Sequence, residues 1–151
     1  MANAEGILLA VGAVIRNDAG QILLVRHRPE REGYWKGKWI CPGGSLEPGE
    51  TLAEGALREI REETHLEVKL KKILPPFETI VEKQGEVPLH VVYVDFLAEV
   101  TGGELRPDDD VGEAEWWGAP ELQRCWDELH HDTKRLLILA GLPDLESRLR
   151  D

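Results

Sequence analysis

Glu59, Glu62 and Glu63 stand three and four residues apart in the run REIREE, so a helix through them projects all three carboxylates from one side. At about 100° per residue they span an arc of roughly 100°, beside an apolar stripe of Leu52, Ala53, Ala56, Leu57 and Ile60. Acidic groups that close repel one another, and each tends to hold a proton. A hard divalent cation such as Mg2+ removes that penalty, because it prefers carboxylate oxygens and keeps waters for a phosphate substrate. A charged run like this is, in isolation, usually a solvated helix face. Pro42-Gly43-Gly44, which lets backbone approach a ligand or offer a carbonyl, and the position of Glu50 favour the metal site.

The surrounding elements must place that helix. Thr51 and Glu54 form a capping box at its start, after a turn through Pro48, Gly49 and Glu50. Upstream, residues 7–16 and 21–28 read as strands joined by the hairpin loop Asn17-Asp18-Ala19-Gly20. A polar loop fills 29–38, and a short strand is expected over 39–41. Downstream, 67–82 and 87–100 read as longer strands around Gln84-Gly85-Glu86, the first broken at Pro75-Pro76. A brief strand after Gly103 leads to an acidic loop over 108–115, and Glu115, Trp116 and Trp117 form one more strand. Two helices follow, near 120–129 and 132–140, the second capped by Asp132 and stopped by Gly141. This order is compatible with an α+β or layered α/β/α domain.

The stretch from Gly44 to Leu66 resembles the Nudix box of the Nudix hydrolases, MutT-like members included. Gly44, Glu50, Arg58, Glu59, Ile60, Glu62, Glu63 and Leu66 fill its defined positions at full spacing, with His65 where the family has Gly. The resemblance implies the Nudix fold, a mixed sheet between helices. It also implies Mg2+, with Mn2+ as a substitute, held by Glu59, Glu62 and Glu63 with the Gly44 carbonyl as a further ligand. Arg58 and Glu50 would pair and hold the loop against the helix. The family often adds a glutamate from a later loop as general base: Glu113 is the first candidate and Glu115 the second, against the alternative that both face solvent. Asp108, Asp109 and Asp110 read as a solvated turn in preference to a metal site. The family's Gly ends the helix in a left-handed conformation, so His65 implies a small shift there; Mg2+ prefers oxygen, which disfavours the ring as a ligand.

The implied reaction is cleavage of a nucleoside triphosphate or related nucleoside diphosphate derivative, giving the monophosphate plus pyrophosphate or a phosphorylated leaving group. ADP-ribose or another nucleotide sugar is the alternative, although the proline such enzymes tend to carry about 15 residues past the box is missing. A nucleotide-binding sensor without turnover is the reading from another class; such modules commonly lose box carboxylates, and all are present here.

Arg26, Arg28, Arg31, Lys36 and Lys38 could contact phosphates, and Tyr34, Trp35, Phe77 and Trp117 could stack a base, with core packing the default for each ring. Cys41 reads as a small buried hydrophobe. The 151 residues, 42% hydrophobic, suit one domain over 1–151. A net charge of −11 argues against polymeric nucleic acid as partner, not against a small nucleotide. Cys41 and Cys125 make no CxxC pair, the first residues lack a basic leader, and the apolar run over 7–15 is too short to span a bilayer. A reducing cytoplasm without membrane attachment is expected, and the family's frequent dimers leave a homodimer open.

Overall fold

Alternation along the first two strands splits the interior into two layers. β1 (Leu8–Arg16) sends Ala13 and Ile15 to one side and Val14 to the other, and β2 (Ile22–His27) separates Leu23 and Val25 from Ile22 and Leu24. The hairpin between them is an Asx turn: Asn17 Oδ1 accepts from the N–H groups of Ala19 (3.0 Å) and Gln21 (2.9 Å). The computed structural model describes residues 6–142.

β3 (Gly43–Ser45), β4 (Leu66–Ile73), β5 (Phe77–Lys83), β6 (Glu86–Gly103) and β7 (Val111–Trp117) complete a seven-stranded mixed sheet. Its main order is β4-β6-β1-β2-β7; only β1 and β6 run parallel. β6 is long enough to pair with β5 along its first half and with β4 along its second. The break at Pro75-Pro76 separates those two strands, and Leu74 N–H bonds to Asp95 O there (2.8 Å). β1 likewise pairs with β3 early and β2 late, opening a fork at Gly12 and Ala13.

Four expectations change. Residues 39–41 form only isolated bridges, Trp39 with Leu129 and Ile40 with Val25, and the strand lies at β3. No strand occupies 104–107, because β6 itself runs on to Gly103. Helix α2 (Ala119–Arg124) is short and followed by a 3-10 turn at Trp126–Glu128. Helix α3 (His131–Leu139) is capped by His130, whose ring accepts from Asp132 N–H, and not by Asp132.

Helix α1 (Leu52–Thr64) begins as its sequence dictates: Thr51 Oγ1 accepts from Glu54 N–H (3.1 Å), and Glu54 Oε1 accepts from Thr51 N–H (2.9 Å). It buries Ala56 and Ile60 on the layer that holds Ala13, Ile15, Leu23 and Val25. α2 and α3 cover the other face through Leu122, Leu136 and Leu137, around Trp39 and Trp117. The result is a mixed sheet held between helices.

Candidate active site

Helical position grades the three box carboxylates by burial. Glu63 follows Ile60 by three residues, shares its inward side and is only 3% exposed. The Glu59 side chain is 12% exposed and that of Glu62 47%. Glu63 Oε1 accepts from Gly43 N–H at 3.0 Å. Burial pushes the Glu63 carboxyl well above its ordinary range; the Gly43 bond opposes this in part, while Glu59, Asp109 and Asp110 add to it. Burial also raises Glu59, against the pull of Arg58.

Arg58 is the fastener. Its guanidinium donates to Glu50 (2.5 and 3.0 Å), to Ser45 O (2.9 Å), to Glu59 (2.7 Å) and to Glu62 (3.1 Å). The loop over 43–50 is thereby tied to α1, and Glu50 is held below the usual carboxylate range. A Cβ at Gly44 would meet the Glu59 carboxylate, so a side chain there would push that carboxylate aside.

His65 takes the left-handed conformation a glycine would (φ 63°, ψ 16°), so α1 ends where the motif requires with no displaced turn. Its ring meets the acidic loop, with Nε2 2.8 Å from Asp108 Oδ2. That loop is a surface turn, as expected, with Asp109 exposed and Asp108 and Asp110 half-exposed, but it is held from several sides. Asp108 N–H bonds to Glu63 O (3.0 Å), Arg28 grips Asp109 O (2.7 Å) and Asp110 O (2.9 Å), and Arg31 forms an ion pair with Asp110. Asp109 and Asp110 both line the cleft that Glu59 and Glu63 face.

The candidate bases Glu113 and Glu115 stand outside that cleft. Glu113 is engaged by Arg26 (2.6 and 2.8 Å), and Glu115 accepts from Trp117 Nε1 (3.0 Å). Period-two alternation puts both on the same face of β7 as Trp117, away from α1.

The cleft has a volume of about 310 Å³. Its second wall is aromatic: Phe77 and Tyr93 stack at 4.7 Å, Trp35 Nε1 donates to Tyr93 OH (3.0 Å), and Tyr93 OH donates to Asp132 (2.5 Å). Of the five expected substrate contacts, only Phe77 lines this space. Arg26 lies over the Trp39 ring (4.7 Å), Arg28 holds the acidic loop, Tyr34 OH meets His131 Nε2 (2.5 Å), and Lys38 bonds to Asp127 O (3.2 Å). Arg31 and Trp35, weighed among the cations and rings, do line it.

Sequence reasoning missed His27, Tyr93, Asp95 and Asp132. Asp95 had a signal, an acid flanked on both sides by apolar residues in the stretch VVYVDFLA. Its Oδ2 has no partner, and burial pushes the carboxyl up to about 7. Cys41 is buried as expected, and burial raises its thiol.

His130, His131 and Asp132 bring ligand atoms within 4.8 Å of one another, the one such triad among the described residues. Those atoms already serve other bonds. His130 Nδ1 accepts from Asp132 N–H (3.1 Å) and its Nε2 faces Tyr34 O (3.2 Å), while Asp132 also accepts from Thr79 (2.8 Å). This network roots α3. The box carboxylates are spread wider, with Arg58 between Glu59 and Glu62. Their donor set is all hard oxygen, and Glu59 and Glu63 are raised by burial, so the residues fit a Mg2+-like cation.

Hard oxygens on one wall and rings on the other suit a phosphoanhydride hydrolase that grips its substrate at two chemically different ends. The chain belongs to the Nudix family: the NUDIX domain matches residues 6–137. It is 35% identical over 116 residues to an ADP-ribose pyrophosphatase of Methanocaldococcus jannaschii, covering 77% of this chain and 64% of that protein. Nucleoside triphosphatase NudI of Escherichia coli O17:K52:H18 is 30% identical over 136 residues, 85% of this chain and 93% of that one. A MutT NUDIX hydrolase structure from Burkholderia pseudomallei superposes with a TM-score of 0.72 at 26% identity, covering 89% and 98% of the two chains. No helix among the described residues is long and apolar enough to cross a membrane.

Proposed function

We propose that this protein hydrolyses the phosphoanhydride of a nucleoside triphosphate or related nucleoside diphosphate derivative, releasing the nucleoside monophosphate and pyrophosphate or a phosphorylated leaving group. The observation that carries the proposal is the meeting of Glu59 and Glu63 with Asp109 and Asp110 at a cleft whose other wall is the Phe77–Tyr93 pair. Glu59, Glu62 and Glu63, with the Gly44 carbonyl, would hold Mg2+, or Mn2+ in its place. When bound, the cation supplies charge neutralisation at the phosphate oxygens and acidifies water. Arg58 keeps Glu59 and Glu62 aimed and the glycine loop closed on the helix. Asp109, which lines the same cleft and has no ion-pair partner among the described residues, takes the proton-accepting part that the resemblance implied for Glu113 or Glu115, while Asp110 is held by Arg31. Phe77 and Tyr93 offer a face to the base. Arg31, beside Asp110, is the cation placed to meet phosphate.

Purified protein with Mg2+ is tested on nucleoside triphosphates, oxidised dGTP, ADP-ribose, nucleotide sugars and dinucleoside polyphosphates, with Glu63→Gln alongside. Monophosphate plus pyrophosphate is expected, with kcat reduced by about 10²–10⁴ in the variant. Turnover that survives Glu63→Gln unchanged would refute the assigned site. The 35% identity to a protein named ADP-ribose pyrophosphatase favours one second reading, cleavage of ADP-ribose to AMP and ribose 5-phosphate. Preference for that substrate in the same panel would select it.

A further inference from the structure

His65 is the position at which the box departs from its family pattern, and the side chain placed there has a partner. The backbone at φ 63° is one that glycine adopts without strain, so a ring is kept at some cost. Nε2 lies 2.8 Å from Asp108 Oδ2. An ionised carboxylate only accepts, so Nε2 carries the proton and donates it. Arg106 Nη2, 3.1 Å from the same nitrogen, then finds no lone pair there and acts on the Asp108 charge 3.9 Å away.

Asp108 is therefore tied to the end of α1 twice, by its side chain to His65 and by its N–H to Glu63 O (3.0 Å). Its other oxygen accepts from Asp109 N–H (2.8 Å) and turns the chain into the next two acids. Asp109 and Asp110 face Glu59 and Glu63, where like charges push the loop outward. We propose that His65 is a positioning residue, whose ring latches Asp108 to the end of α1 and so holds Asp109 and Asp110 beside Glu59 and Glu63 as one acidic oxygen set. A glycine at 65 would keep the backbone and lose the latch. The inference rests on the proposed role of this site in binding a divalent cation.

Four variants test it: His65→Gly, His65→Gln, Asp108→Ala and the double change of His65→Gly with Asp108→Ala. Gly relaxes the backbone and deletes the donor; Gln keeps a donor nitrogen at about the same reach but tolerates the left-handed conformation less well. Thermal melting and Mn2+ binding, the latter read by paramagnetic resonance without substrate, are measured on each. His65→Gly is expected to melt no lower than wild type yet bind Mn2+ about tenfold more weakly. His65→Gln should melt lower and recover most of the Mn2+ affinity, a crossing that a residue serving stability alone would not produce. Asp108→Ala should lose at least as much affinity as His65→Gly, and the double change no more than Asp108→Ala. Unchanged Mn2+ affinity in His65→Gly, or losses that add in the double variant, would overturn the latch. A wild type that binds Mn2+ but hydrolyses no substrate refutes the activity and leaves the latch standing. A wild type without Mn2+ affinity refutes both.

Discussion

Asp95 carries an electrostatic cost that no other group in the cleft offsets. Its Oδ2 lacks a hydrogen bond, its neighbour Cys41 is itself buried, and its carboxyl is pushed up to about 7 by burial. A group that binds its proton more tightly when folded stabilises the fold at low pH and loses that contribution as pH rises through the folded value. The gap between 3.8 and about 7 corresponds to roughly 4 kcal/mol as an upper figure. Asp95→Asn, close in shape and never charged, is expected to show a flatter stability profile between pH 4 and 7, followed by urea denaturation at each pH. Wild type and variant profiles running parallel would mean that Asp95 stays charged and partnered in solution. At this scale the sequence was informative where spacing alone decides direction, since Glu59, Glu62 and Glu63 had to share a side of α1, while the Arg58–Glu50 pair was legible only through the family resemblance. It was silent where direction depends on long-range pairing. Arg26 and His27 are adjacent in β2 and so face opposite sides of the sheet, but which side holds the cleft is set by the strands and loops that come together there, and His27 is the one that lines it.

Elements whose signals are local were legible in the same way. The Asn17 turn, the break at Pro75-Pro76 and the capping box of α1 each need only a few consecutive residues to act. The anchoring of the acidic loop did not declare itself, since Arg28, Arg31, His65 and the Glu63 carbonyl converge on Asp108, Asp109 and Asp110 from distant segments. The start of α3 was misplaced because a histidine ring, seldom an N-cap, accepts the first orphan N–H. The two ends of α1 therefore have separable duties. Thr51→Ala removes the cap and should cost about 1 kcal/mol in urea denaturation, while cation affinity stays within twofold, because the carboxylates lie in the last two turns behind the Arg58–Glu50 clamp. A loss of affinity in step with stability would instead make the cap, the clamp and the carboxylates one cooperative unit.

Across the whole molecule, folding gathers acidic charge that the net of −11 already opposes. Glu59 and Glu63 are raised chiefly by burial, so without a cation the folded state binds protons more tightly than the unfolded one. Stability from these groups is then greatest at acid pH and declines as pH rises through their raised values. A divalent cation reverses the slope, since it binds only the deprotonated oxygens and only when the fold has brought them together. The shift in melting temperature that Mg2+ produces relative to a chelator is thus expected to widen from acid to neutral pH. Glu63→Gln should remove most of that widening and also make the chelated protein less sensitive to pH, because the amide replaces the most buried of the box carboxyls. Equal Mg2+ shifts at acid and neutral pH would place the bound cation away from the buried Glu59 and Glu63 carboxyls.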